Sequence, residues 1–465
     1  MSQESPSDTP SVSPSRRSFL ASTAAVAGAA SALPIELSAQ VAGSDEMKVG
    51  MIGCGGRNSG AIIQNLAAND GSRLYAVAEA FADKIDGTGP RASGLEVIRK
   101  KLESSGKAKQ FDVPGERQFV GFDAYKQVID EVDLVCIATP PGFRPIHFEY
   151  AVSQGKHVFM EKPVCVDAHG FNQVIRAAKQ ADEKGLRVVV GLQRHYQPSY
   201  LESFERFTNG EIGEIISAQA YWNGARPWTI DRQDGWTEME FQVRNWQQFQ
   251  WLSGDHIAEQ HVHNLDVINW FASGDSEMGG NPISAQGMGA RTDESAKIGE
   301  IFNQHAVEYQ FGPEQNNITM SSQCRQMKGT WRKVGEVIYG SEGILDPGKG
   351  RITDLKGNVK WSYRKPREGM VNPKQEEHDR LYAAIRENKP LNNAYYGAKS
   401  SLTAVLGRLA TYSGQMVNWD EAVASDFSLM PETFAFDAQP PVLPDSEGDY
   451  AVAIPGQWQL PWQSA

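Results

Sequence analysis

The feature that most restricts this chain is a short apolar run, residues 48–52, that ends in Gly53-Cys54-Gly55-Gly56-Arg57-Asn58 and passes directly into a segment of helical spacing. A strand that turns through glycines into a helix commits the chain to strand-helix-strand units, because parallel strands need a crossover of a dozen or more residues. The following stretch keeps to that pattern. Apolar runs at 48–52, 73–78, 134–138, 158–160 and 187–190 read as strands, with helices near 60–68, 145–154 and 168–184. They predict an α/β domain over 45–192 with a parallel, doubly wound sheet. Residues 81–117 interrupt it with a helix and exposed loops.

After Gln193 the pattern changes. Strand-like runs at 215–222, 283–290, 300–311, 318–323 and 333–339 are separated by turns, which predicts a second, α+β domain over 193–430 on a largely antiparallel or mixed open sheet. Helices are expected at 255–271, 375–387 and 394–414. From Pro431 onward, Pro, Asp and aromatic residues suggest an extended arm on the surface. With 465 residues, two such domains are the natural division. The net charge of −12, without a dense Lys/Arg run, excludes nucleic acid as a partner. The four widely spaced cysteines read as small apolar residues, not as disulfides or metal ligands.

Residues 1–42 are of another kind. Ser15-Arg16-Arg17-Ser18-Phe19-Leu20, followed by an Ala-rich stretch to Ala32, has the form of a twin-arginine export signal with cleavage after Ala32 or Ala39. The apolar stretch is too short and Ala-rich for a stable membrane span. A soluble, exported, periplasmic or extracytoplasmic enzyme that folds around its cofactor before export is expected.

The glycine turn gives that cofactor its site. Gly53 permits the tight turn, and Gly55 lets a pyrophosphate approach the helix N-terminus, with Gly56, Arg57 and Asn58 beside it. Glu79, at the end of the second strand, is placed to accept hydrogen bonds from ribose hydroxyls and to repel a 2'-phosphate. NAD is therefore expected, with NADP possible because Arg57 and the Arg99-Lys100-Lys101 cluster are basic.

Further along stand Thr139-Pro140-Pro141, His147 and Gly155-Lys156-His157-Val158-Phe159-Met160-Glu161-Lys162-Pro163. These motifs resemble the family of glucose-fructose oxidoreductase and inositol dehydrogenase, Gfo/Idh/MocA, over nearly all of the chain after residue 47. The resemblance implies that Thr139, Pro140, Pro141 and His147 lie along the dinucleotide. It also implies that Glu161 and Lys162 stand in a turn, with a cis peptide at its proline, that presents the lysine to substrate and cofactor. Physical reasoning agrees: a lysine at the carboxyl end of a parallel strand sits where open α/β sheets bind ligands, and its ammonium can hold a substrate oxygen.

Residues 254–266 resemble the same family's second-domain helix, with Glu259 and His263 in the acid and base places. Spacing of four puts both on one helical face, with Asp266 a turn further on, so the carboxylate can orient an imidazole acting as general base. His256, Glu259 and His263 share that face and form an alternative metal set, although no metal is expected. On the substrate side, Trp222, Trp228, Trp236, Trp246 and Trp251 with Arg226 and Arg244 suit a sugar, as do Arg194 and Tyr196 at the domain junction, although core packing claims some of them. The expected activity is hydride transfer to or from a secondary alcohol of a sugar, sugar acid or cyclic polyol, with tightly bound cofactor, in a homo-oligomer. A redox-neutral lyase or glycosidase working through transient oxidation is the alternative chemistry. A non-catalytic sugar-binding protein is the alternative class, and a metal-dependent hydrolase a third.

Overall fold

The computed structural model describes residues 46–225, 228–292, 298–365 and 370–463. The twin-arginine motif and Arg226 lie outside them.

The first sheet is parallel and six-stranded, in the order β3-β2-β1-β4-β5-β6. Its strands are β1 (Met47–Ile52), β2 (Ser72–Glu79), β3 (Gln118–Val120), β4 (Leu134–Ile137), β5 (His157–Met160) and β6 (Val188–Val190). Most of their residues are buried because helices cover both faces, which is why they read as unbroken apolar runs. The reversal of strand order between β1 and β4 opens the crevice where such sheets take ligands. The 81–117 excursion forms helices Ala82–Asp86 and Gly94–Ser104 and then leads into β3. That three-residue edge strand is too short to show a period.

The second sheet has nine strands in the order β14-β13-β12-β11-β7-β10-β9-β8-β15. They are β7 (Ile215–Gly224), β8 (Ser284–Ala290), β9 (Gln304–Gln310), β10 (Thr319–Gln326), β11 (Lys333–Gly340), β12 (Ile344–Asp346), β13 (Arg351–Thr353), β14 (Val359–Ser362) and β15 (Val417–Asn418). Among the described strands of this sheet only β7 and β10 pair in parallel. In β9 and β10 buried and exposed residues alternate, so one face meets the helices and the other meets solvent. Helix Ala394–Ser413, buried almost all round, packs between this sheet and the first domain and stops at Gly414 in a left-handed conformation.

Three elements depart from expectation. Residues 255–271 are two helices, His256–Glu259 and Val262–Ser273, with a break at Gln260 and His261. Helix Pro373–Arg386 returns to the first domain, where His378 Nδ1 meets Asn65 Nδ2 at 3.2 Å. The arm is more than surface decoration: Phe436 meets Phe122 at 4.8 Å and Phe81 at 5.3 Å between ring centroids, and Phe434 meets Phe143 at 5.6 Å.

Candidate active site

One cavity of about 800 Å³ runs from the glycine turn to the second sheet. At its first end Gly53 has φ +90°, and a Cβ there would press on the Ala138 and Thr139 backbone at 3.1–3.2 Å. Only glycine takes that turn without strain. A Cβ on Gly55 would meet no protein atom within 4 Å, and Gly55 lines the cavity, so a methyl there would fill the cradle itself. Helix Gly56–Ala68 starts with no side-chain cap and no acidic residue in its first turn. Its N–H groups are thus available to an anionic ligand. Asn58 lines the cavity as expected and has a second task. It is fully buried and its amide nitrogen lies 3.0 Å from the carbonyls of Ile52, Gly53 and Cys136, so its side chain secures the turn to β4.

Glu79 ends β2 with its carboxylate held by the backbone N–H groups of Cys54 (2.7 Å) and Ala80 (2.8 Å). Burial pushes its pKa up, against those two hydrogen bonds. Its basic neighbours along the cavity are Lys84 and Arg91, which sequence reasoning passed over. Lys84 donates to the Pro90 carbonyl at 2.7 Å, and the Arg91 guanidinium lies 4.5 Å from the centre of the Trp228 ring. The Arg99-Lys100-Lys101 cluster does not line the cavity: Arg99 and Lys100 pair with Glu96, on an exposed helix face. The glycine cradle, the uncapped helix and the Glu79 carboxylate at the strand end fit a dinucleotide.

In the middle of the cavity, Thr139 Oγ1 lies 3.2 Å from His147 Nδ1, and Pro140 lines the wall. Burial lowers the pKa of His147 to about 3, so its ring is neutral. Pro141 does not reach the cavity: it is buried at the start of a tight turn, Pro141–Phe143. Arg144, also passed over, joins two walls by donating to the carbonyls of Thr139 (2.7 Å) and Pro163. Arg57 pairs with Glu161 at 2.5 Å.

At the far end Lys162, next to a cis bond to Pro163, extends its ammonium to the Glu259 carbonyl and lies 3.3 Å from Glu259 Oε1. The break after Glu259 turns that carboxylate to Lys162, so it does not orient His263. Nor does Asp266, which binds His195 Nε2 at 2.9 Å and receives the Ser400 hydroxyl. His263 instead lies flat against Trp222, 22° between planes and 5.9 Å between centroids. Its Nδ1 is buried with no hydrogen-bond partner among the described residues. Burial, then the charges of Lys162 and Arg194, hold its pKa well below 6.5. The imidazole is therefore neutral and able to take a proton.

Arg194 lines the cavity with its guanidinium fixed by Glu336 at 2.5 Å, and Glu336 is also bound by Asn264 and Tyr200. Tyr196 points away, its hydroxyl on Asn393 at 2.6 Å within the core. Trp222, Trp228, Trp246 and Arg244 line the cavity, whereas Trp251 is an interior residue bonded to Gln242. The set His256, Glu259 and His263 is not brought together: each side chain has a different neighbourhood.

The Gfo/Idh/MocA model, described as an oxidoreductase family with an NAD-binding Rossmann fold, matches residues 47–192. Those residues belong to that family. Stretches of this chain are similar to the NADP(+)-dependent scyllo-inositol 2-dehydrogenase of Bacillus subtilis, 30% identical over 28% of this chain and 34% of the relative. They are also similar to a 2,7-anhydro-N-acetylneuraminate hydratase of Escherichia coli, 26% identical over 30% of this chain and 32% of the relative. The match thus spans about a third of each of these relatives. Among solved structures, aldose-aldose oxidoreductase from Caulobacter crescentus superposes with a TM-score of 0.58 at 17% identity, over 80% of this chain and 99% of that one. That likeness extends the shared fold through the second domain. Among the described residues no helix is long and apolar enough to cross a membrane.

Proposed function

We propose that this chain is an NAD-dependent oxidoreductase acting on a secondary alcohol of a sugar, sugar acid or cyclic polyol. The observation that carries the reading is that Lys162 and the neutral His263 face the same cavity as the glycine cradle and Glu79. When bound, an oxidised nicotinamide supplies the hydride acceptor. Lys162 holds the substrate oxygen and favours negative charge on it, while Glu259 fixes the ammonium in place. His263 takes the hydroxyl proton as the alcohol is oxidised and returns it in the reverse direction. Arg194 and the Trp222 face hold the sugar, the first by charge and hydrogen bonds and the second against C–H groups. NADP use remains open to the chain through Lys84 and Arg91. The likeness to a hydratase supports a second reading, in which carbon is oxidised transiently and the electrons return to the product.

We further propose export by the twin-arginine route, on the strength of Arg16-Arg17 and the following apolar stretch. An exported enzyme would keep its dinucleotide, and the walls here favour that: Trp228, Trp246 and Arg244 of the second domain close over the nucleotide end. Exposed Ile216 and Met288, on strands of the nine-stranded sheet, suit contact with a second copy of the chain, which light scattering on the eluted protein would test.

The deciding experiment releases the dinucleotide from purified protein by denaturation, identifies it, and follows absorbance of the reduced nicotinamide as sugars and polyols are added to native protein. A substrate-dependent change that is lost in Lys162→Ala supports oxidoreduction. Product formation without any lasting change in redox state supports the redox-neutral reading. Normal ligand binding with no chemistry, unchanged in Lys162→Ala, leaves a sugar-binding protein and overturns both.

A further inference from the structure

Behind the turn that carries Glu259 lies a cluster with no part in the chemistry above. Asp255, His256 and His305 are all buried, with one ligand atom of each within 4.8 Å of the others. Asp255 and His256 open the short helix that ends at Glu259, and His305 stands on β9.

The hydrogen bonds around His305 accommodate the tautomer that leaves Nε2 bare. The Thr411 hydroxyl lies 3.0 Å from the Gly407 and Arg408 carbonyls of its own helix, to which only its single proton can be donated. With that proton on a carbonyl, Thr411 accepts from His305 Nδ1 at 2.9 Å and the ring proton sits on Nδ1. Nε2 then turns a lone pair towards Asp255 Oδ2, 3.3 Å away, and makes no hydrogen bond there. The carboxylate is an acceptor as well, already receiving the Tyr412 hydroxyl (2.6 Å) and the Phe302 N–H (3.1 Å). In that state two acceptors face each other in a dry interior, and a cation between them, either a proton or a metal ion, relieves the conflict.

The spacing and the donors favour a metal. Tetrahedral zinc with bonds of about 2.0–2.2 Å to nitrogen and oxygen separates its ligand atoms by roughly 3.3–3.5 Å. His305 Nε2 to Asp255 Oδ2 is 3.3 Å and His256 Nδ1 to Asp255 Oδ1 is 3.7 Å. Cys324 Sγ, 3.9 Å from His256 Nδ1, is a further donor within reach. The Thr411 oxygen behind His305 Nδ1 is the outer-shell partner that metal-bound histidines keep. Arg408, buried nearby, shares its charge among Asp255, Asp167 and Glu300, three carboxyl groups to one guanidinium. A second cavity of about 370 Å³ is lined in part by His305 and Cys324.

We propose that Asp255, His256 and His305 bind a divalent transition-metal ion, zinc by ligand chemistry, which fastens the Glu259 turn to the second sheet. The site is structural and independent of the reaction assigned above, so its test reads metal rather than turnover. Full-length protein produced with added Zn²⁺ is analysed for bound metal, and its thermal midpoint is measured after chelator treatment and after Zn²⁺ is restored. The expected result is about one zinc per chain, a midpoint lowered by several degrees on chelation and recovered with Zn²⁺. His305→Gln and His256→Gln should each lose the metal while far-ultraviolet circular dichroism stays native. Should a variant fail to fold, Co²⁺ added to chelator-treated wild type decides the matter, since tetrahedral coordination gives visible absorption bands. Substoichiometric metal in the wild type, a midpoint insensitive to Zn²⁺ and no cobalt bands would overturn the proposal and leave a proton in the gap.

Discussion

At the scale of single residues, the site divides into groups that touch substrate and groups that hold them. Lys162→Ala removes the ammonium that meets the substrate oxygen, so kcat should fall about a hundredfold or more while the dinucleotide stays bound. Retained kcat in that variant would remove Lys162 from the chemistry. His263 is neutral because it is buried near two cations, which predicts that the oxidation rate keeps its value as pH falls to about 6 and declines only well below. An acid limb centred near the ordinary histidine value, abolished in His263→Asn, would contradict the environment described for this ring. In the function proposed, Glu79 favours NAD through charge, with Lys84 and Arg91 along the same cavity. Glu79→Ala should therefore shift the ratio of kcat/KM towards NADP by about tenfold or more, read with both cofactors at one ionic strength. Lys162, His263 and Glu79 were legible as residues because each follows from a motif with a mechanism. Arg144, Lys84 and Arg91 were not, since no spacing marks an arginine that will donate to two distant carbonyls.

At the scale of elements, the departures from expectation have local causes. Glu259 and His263 share a face only if the helix is continuous, and the break at Gln260 and His261 gives them separate partners. The turn after Pro141 is pressed against helix Gln250–Ser253, where a Cβ on Gly142 would come within 2.2 Å of the Trp251 carbonyl. Gly142→Ala should destabilise the protein by about 2 kcal/mol, measured by denaturant unfolding, because the obstacle is backbone and cannot rotate away. At the head of β5, His157 accepts the Arg187 N–H through Nδ1 at 3.0 Å, and burial lowers its pKa to about 4. Its folded-state pKa lies below the unfolded value of 6.5, so this contribution is present above pH 6.5 and is lost as pH falls through 4. His157→Asn keeps an acceptor without a basic nitrogen, and relative to wild type it should gain up to about 3 kcal/mol between those pH values. Parallel unfolding curves for the two proteins from neutral to acid pH would argue against a neutral, buried His157.

At the scale of the whole molecule, the nucleotide end is enclosed by segments far away in the chain. Phe434 and Phe436 of the arm pack behind Phe81, Phe122 and Phe143, and Arg244 covers Phe81 with its guanidinium 3.9 Å from the ring centre. Removal of residues 433–465 should lower stability by about 3–5 kcal/mol, from two lost phenylalanine contacts and the exposed partners. It should also release dinucleotide during desalting that the full chain retains. Equal retention by both would mean that the arm supports the fold but not the grip on the ligand.

The sequence by itself determined the two-domain α/β and α+β plan, the glycine cradle, the lysine turn and the carboxylate of Glu79 at the end of the second strand. Each of these depends on neighbours in sequence: a strand period of two, a helical period, glycines where φ is positive and a carboxylate at a strand end. The tertiary structure decided which charged groups meet across the cavity. It gave Glu259 to Lys162 and Asp266 to His195, used Asn58 to tie β1 to β4, and turned Tyr196 into the core. It also set Asp255, His256 and His305 against one another across two elements. Those pairings depend on how helices and sheets dock, and docking is fixed by burial of whole faces, which no local spacing records.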